Sequence, residues 1–364
     1  MTCPGRFNVI DALTRIQTDL TRLLSICAVL VIHATGQIES LFARSQSFAT
    51  AEFAGVVLNQ WARFSVPIFV LLSGYGLGLR YRDSFGWKEF LERRFTRIGI
   101  PFLFWTFVFI LAYRISWDAA LLTGAGQTAA LAQAAGALPA ALFTTGADYH
   151  FYFFIIILQC YLAFGLLRQT GKKTLITLAI MHLLISSPSS KLLDGMGLMP
   201  GWHASLLVNW IFYFALGIFL ARSTTGLGKF PSAIFATASL CAVCAEFVYY
   251  ALLPGGEDTG NYDHFARWSV AVYAVAAWFF LAAWTGPDLA GRARSWIEKG
   301  AALSFSVFIF HTTVLRQLEN TPLRATLFII PTLILVTFAL VWLLDLILRP
   351  NWLRIIFGLP EKLS

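Results

Sequence analysis

His33 lies eleven positions after Arg22, which on an α-helix is almost three whole turns. The two side chains therefore share one face, roughly 16 Å apart along the axis. A guanidinium binds anions. An imidazole can take a proton from a hydroxyl or accept a transferred group. Asp19 lies three residues before Arg22, in position to orient it. The same spacing also suits a snorkelling arginine and a histidine bonded to a neighbouring helix. Arg94 and Arg97 form a second pair, three residues apart, and such a pair suits phosphate groups. It also suits an ordinary cluster of cytoplasmic charge.

Four further places carry polar groups in apolar surroundings: Arg63, the stretch Ser73-Gly74-Tyr75-Gly76, His150 and His311. Ionisable groups inside a membrane are costly, and each is a candidate functional residue. His150, Glu246 and His311 each stand in a setting where a satisfied structural polar group is commoner than a catalytic one. The Ser-Gly-Tyr-Gly stretch also reads as a site of close helix approach. Cys241 and Cys244 form a C-x-x-C inside an apolar segment. No second ligand pair accompanies them, so packing on one helix face is the better reading and no metal is expected. The five cysteines are scattered, which argues against a disulfide framework.

The elements that must position these residues are membrane spans. Of the 364 residues, 58% are hydrophobic and 13% are charged, against about 25% charged in soluble domains. The chain breaks repeatedly into apolar runs of about 18–25 residues, the length that crosses a ~30 Å hydrocarbon core. Ten spans are predicted, at 20–41, 55–79, 98–115, 150–167, 174–188, 204–222, 231–253, 265–285, 300–318 and 323–348. The first has no small-residue cleavage site after it and reads as a retained span. With both termini cytoplasmic, 20 of the 27 Lys and Arg fall in cytoplasmic segments, including six from Arg80 to Arg97. The opposite loops are nearly bare, and one carries Glu257, Asp258 and Asp263. The Ala-rich region 127–145 would reverse this asymmetry if it spanned. It is therefore expected within an outside loop over 116–149, as a re-entrant or interfacial helix. The net charge of +8 thus follows from topology, and no nucleic-acid partner is expected. The expected protein is all-α, a single membrane-embedded domain over 1–364 with no fused soluble domain.

These residues resemble the membrane-bound acyltransferase family 3, carbohydrate O-acyltransferases with a ten-span fold. The similarity covers almost the whole chain. Arg22 and His33 match the family's Arg, ten residues, His in span one. Arg94 and Arg97 match its cytoplasmic Arg-x-x-Arg. Pro67 through Tyr75 match its Pro-x-x-Phe-x-x-Ser-Gly-Tyr type motif, with Phe69 one place early. Its His-Leu-Trp-Phe is present as His150-Phe-Tyr-Phe, a departure. Gly217 in span six and Ser304 with His311 in span nine also fit.

The resemblance implies acetyl-CoA as cytoplasmic donor. It implies a sugar hydroxyl on a lipid-linked oligosaccharide or growing polysaccharide as acceptor, in a bacterial inner membrane, with xanthan-type exopolysaccharide acetylation as the specific expectation. On that reading Arg94 and Arg97 meet the CoA phosphates and Arg22, oriented by Asp19, lies near the thioester. His33 is either general base or acyl carrier, and Arg63, Ser73, Tyr75, His150 and His311 contact substrate. Two other classes stay open: a transporter or flippase of lipid-linked saccharides, and a non-catalytic subunit of a polysaccharide synthase. No inverted repeat supports the transporter.

Overall fold

The structure, a computed structural model, describes residues 14–46, 48, 50–113, 124–143, 147–186, 205–223, 226–253, 265, 267–283 and 291–361. All regular structure among them is helical: α1 (Arg15–Ser45), α2 (Thr50–Ala62), α3 (Ser65–Arg80), α4 (Trp87–Arg94), α5 (Ile100–Tyr113), α6 (Gly124–Phe143), α7 (Tyr152–Leu167), α8 (Lys172–Met181), α9 (Ile211–Leu220), α10 (Lys229–Ala251), α11 (Trp268–Ala283), α12 (Arg292–Glu319), α13 (Ile329–Ile347) and α14 (Asn351–Ile356), with short 3₁₀ and π turns between. Cys3, Arg6, Lys362 and the acidic loop with Glu257, Asp258 and Asp263 lie outside the described residues.

Among the described residues, seven helical units are long and apolar enough to cross a membrane: Arg15–Ser45, Ala51–Arg80, Trp87–Tyr113, Tyr149–Leu167, Lys229–Ala251, Arg292–Glu319 and Ile329–Ile347. The protein is an all-α integral membrane protein. The predicted spans at 174–188, 204–222 and 265–285 meet shorter helices, α8 with its π turn His182–Ser186, α9 and α11. The region 127–145 falls largely on α6, which packs against α5.

The unit Ala51–Arg80 is the hub: 78% of the residues in its 18-residue apolar stretch are buried, against 22% in those of Lys229–Ala251 and Ile329–Ile347. The outward faces of the peripheral helices carry Phe230, Ile234, Leu335 and Leu343, a surface suited to lipid. Two prolines shape the hub and its neighbour. Pro67 has no N–H for the carbonyl of Arg63, so the hub breaks at 63–64 into α2 and α3. Pro101 likewise leaves the carbonyl of Arg97 unserved. The helix widens there into the π turn Phe95–Gly99, in which Ile100 N–H donates to the Phe95 carbonyl.

The hub crosses α9 at backbone contact. A Cβ on Gly74 would overlap the Phe214 carbonyl, and one on Gly217 would overlap the Leu71 carbonyl. One turn on, Gly78 meets Ile218 and Ala221. Small residues at this spacing let two membrane helices close without side chains between them. Gly74 thus turns to α9 while its neighbour Ser73 turns the other way, into a cavity.

Candidate active site

The cavity, about 390 Å³, lies between α1, α3, the π turn after α4, α7 and α12. Four arginines line it: Arg22, Arg80, Arg94 and Arg97. Arg22 donates to Asp19 Oδ1 at 3.0 Å, as the i, i+3 spacing predicts. None of Arg80, Arg94 and Arg97 is ion-paired among the described residues, and buried Arg94 Nε has no hydrogen-bond partner. Arg94 instead lies over the rings of Phe90 and Tyr161, at 5.7 and 5.5 Å. Ser73 lines the same cavity and donates toward Tyr161 Oη at 3.4 Å. Guanidinium groups without an ion pair that face a chamber give it a positive potential, which favours anions.

From the arginines the lining runs inward past Val29 and Leu72 to Val66, Phe153 and Phe308. Directly behind Phe308 three histidines converge. Its ring centroid is 5.3 Å from His150 and 5.8 Å from His311. The His33 and His311 rings are 5.0 Å apart, as are those of His150 and His311. Tyr149 lies 5.1 Å from His33. His150 and His311 are fully buried, yet neither ring nitrogen of His150 nor His311 Nε2 completes a hydrogen bond among the described residues. Buried polar atoms are almost always satisfied, so three such ring nitrogens side by side make this cluster chemically unusual and a candidate site. His311 Nδ1 lies 2.7 Å from the Phe308 carbonyl. That contact requires the proton on Nδ1 and leaves Nε2 an acceptor. Among the described residues no group of three or more His, Cys, Asp or Glu is placed to hold a metal ion.

The cluster is braced from two sides. Arg63, buried at the α2–α3 break, donates through Nε to Asn59 Oδ1 at 2.9 Å. Asn59 in turn donates to the Ile32 carbonyl at 3.2 Å and to Thr35 Oγ1 at 3.0 Å, gripping α1 on both sides of His33. On the other side stands Asp148. Its Oδ1 takes Arg316 at 2.7 Å and the Tyr149 N–H at 2.8 Å, and its Oδ2 takes Thr312 Oγ1 at 3.2 Å. Burial alone would raise the Asp148 pKa. The adjoining His150 ring and the Arg316 guanidinium outweigh it and hold the carboxyl well below the usual carboxylate range. Arg316 itself lies over the Tyr113 ring at 4.0 Å.

Of the residues the sequence nominates, Arg22, Ser73, Arg94 and Arg97 share the cavity, with Asp19 on Arg22. His33, His150 and His311 share the cluster behind it, and Arg63 braces α1. Tyr75 is not brought to either. Its ring packs on Trp278 at 5.4 Å. Sequence reasoning missed Asn59, Asp148, Thr312 and Arg316 as members of the site. The signal for Arg316 was present, a charge at the end of an apolar span five residues after His311. Glu246 belongs to a separate group, where Ser269 and Arg267 approach it.

No curated protein and no solved structure matches the chain. The family model described as an acyltransferase domain, that of acyltransferase family 3, matches residues 15–346. That match spans both the arginine-lined cavity and the histidine cluster, and the chain belongs to acyltransferase family 3.

Proposed function

We propose that the protein transfers an acetyl group from cytoplasmic acetyl-CoA to a sugar hydroxyl of a lipid-linked or growing exopolysaccharide or lipopolysaccharide at a bacterial inner membrane. The observation that carries this reading is the cavity with four arginines that ends one side chain short of three histidines. CoA is anionic and cytoplasmic, and the arginines lie on segments that the basic-residue asymmetry assigns to the cytoplasm. Ten spans with both termini cytoplasmic complete the topology.

In this mechanism the donor's phosphates meet Arg94 and Arg97, and Arg22, held by Asp19, lies nearer the thioester. His33 takes the proton of the acceptor hydroxyl as its oxygen attacks the thioester carbonyl. The C–S bond breaks and the CoA thiolate leaves, to be protonated. His311 and His150, which faces Asp148, orient His33 and the acceptor. No metal takes part.

The test is a strain in which His33→Ala replaces the native copy, with polymer yield and acetyl content both measured. Loss of acetyl groups at normal yield supports transfer. Normal acetyl content removes His33 from the mechanism. Lost yield with normal acetylation of what is exported favours a flippase of lipid-linked saccharides instead.

A further inference from the structure

The group around Glu246 is linked to the site by one side chain. Arg267, just before α11, reaches Glu246 Oε2 on α10 at 3.8 Å and the Val243 carbonyl at 3.5 Å, while Ser269 Oγ donates to the same Glu246 oxygen. Arg267 also donates to Gln60 Oε1 on α2. Gln60 passes the contact on, its Nε2 donating to Asn59 Oδ1 at 3.3 Å. Asn59 Oδ1 also takes Arg63, and Asn59 Nδ2 holds the Ile32 carbonyl and Thr35 Oγ1 on α1. Arg267, Gln60, Asn59 and Arg63 are all buried. A continuous polar chain thus runs from an ion pair on peripheral α10, through α2, to the helix that carries His33.

The chain has a direction. At each amide the oxygen meets a donor and the nitrogen meets an acceptor. Turning the Asn59 amide over would set its N–H groups against Arg63 and its oxygen against the Ile32 carbonyl. Guanidinium groups only donate, so Arg63 and Arg267 fix the sense of both amides. Thr35 is fixed as well: its Oγ1 donates to the Val31 carbonyl at 2.7 Å, which leaves it an acceptor for Asn59. Ile32 and Thr35 share one side of α1, and His33 lies roughly 130° round from their midpoint. Asn59 therefore grips the back of α1 while His33 faces His311 at the front. A rotation of α1 that carried the imidazole away from His311 would break both Asn59 bonds. Buried charges and amides are a costly way to join helices in lipid, and what they add over apolar packing is a fixed orientation.

We propose that Arg267 and Gln60 are positioning residues for His33. The Glu246–Arg267 pair orients the Gln60 amide, Gln60 orients Asn59, and Asn59 fixes the rotation of α1 that aims the imidazole. This rests on the reading of His33 as the base in acyl transfer and extends it to residues on the far side of the hub. Neither Arg267 nor Gln60 lines the arginine chamber, so their effect belongs in kcat and not in donor binding.

The experiment uses the full-length protein in lipid nanodiscs. Gln60→Glu keeps an oxygen for Arg267 and puts an acceptor where Asn59 Oδ1 needs a donor, so it cuts the chain at one link. It is expected to lower kcat per folded molecule by about tenfold or more, since small misplacements of a reacting group are that costly, with KM for acetyl-CoA within about twofold. Arg267→Lys keeps the charge and is expected to retain part of the kcat that Arg267→Met loses. The ring ¹⁵N signals of His33, identified by their loss in His33→Ala, are expected to shift in Gln60→Glu and in Arg267→Met. Unmoved His33 signals would overturn the proposal. So would a Gln60→Glu variant with the wild-type kcat, or one whose loss lies only in KM for acetyl-CoA. Shifted ring signals, in a protein whose wild type transfers nothing from acetyl-CoA, would keep the positioning chain and overturn the transfer reading instead. If Arg267→Met does not fold, Gln60→Glu still decides.

Discussion

His150 Nδ1 lies 3.5 Å from Asp148 Oδ2, at ion-pair range but beyond a good hydrogen bond. The carboxylate's other oxygen is held by Arg316. The imidazole therefore faces a carboxylate that cannot swing away, and substrate arrival need close the gap by only a few tenths of an ångström. An orienting carboxylate behind a histidine is a recurrent device for fixing a ring and favouring its charged form during proton transfer.

Asp148→Asn keeps the shape and removes the charge. Turnover in the acetyl-transfer assay should fall on the order of a hundredfold, within the range for general acid–base assistance, with membrane-inserted protein unchanged. The stability contribution has a defined pH sign. The folded pKa is lowered from 3.8, so the contribution is present above that value and fades as pH falls toward the folded one. The difference in thermal midpoint between wild type and Asp148→Asn should stay constant from neutral pH to about 5 and shrink in stronger acid. A difference that vanishes already near neutrality would mean the carboxylate is not held ionised.

Arg94→Ala and Arg97→Ala should each weaken acetyl-CoA binding by about ten- to a hundredfold, the loss of one charge-assisted contact of about 1.5–3 kcal/mol. Lysine at either position should restore part of it, since charge returns without the planar fork. Equilibrium binding to protein in nanodiscs reads this directly. Unchanged affinity in both alanine variants would reduce the pair to a topology signal.

Gly217→Leu drives a side chain into the Leu71 carbonyl and must force α9 away from α3. Overpacking of this kind costs on the order of 1–3 kcal/mol, and the midpoint of thermal unfolding in detergent should drop by several degrees. Gly136→Leu on exposed α6, where an added Cβ meets nothing within 4 Å, is the matched control and should change little. Equal behaviour of the two variants would show that the α3–α9 crossing is not tight.

A reporter active only outside the cytoplasm should be silent when fused after residue 90 or at the C-terminus, and active within 254–264. The positive-inside asymmetry requires this pattern. An active C-terminal fusion would overturn the ten-span arrangement.

The membrane class and most of the long helices were legible in the sequence because they follow from local composition and a single periodicity. The contact of His33 with His150 and His311 was not. It joins three helical segments far apart in the chain, and nothing in one span's pattern says which face of another it meets. Asp148 was not nominated, since its place beside His150 depends on Arg316 and Thr312 from α12. The bend at Arg63 and the π turn at Phe95–Gly99 were present in Pro67 and Pro101 as missing N–H donors, a signal that gives the place of an irregularity and not its direction. Tyr75 shows the same limit from the other side. It stands two residues from Ser73, and on a helix that spacing points it to another face.

Phe308 belongs to both compartments at once, lining the arginine chamber and touching two of the imidazoles. A thioester is a hydrolysable bond, and water passing freely from the chamber to the histidines would compete with the acceptor for the acyl group. On the proposed acyl-transfer reading, a partition one aromatic ring thick would keep that leak small while no acceptor is bound.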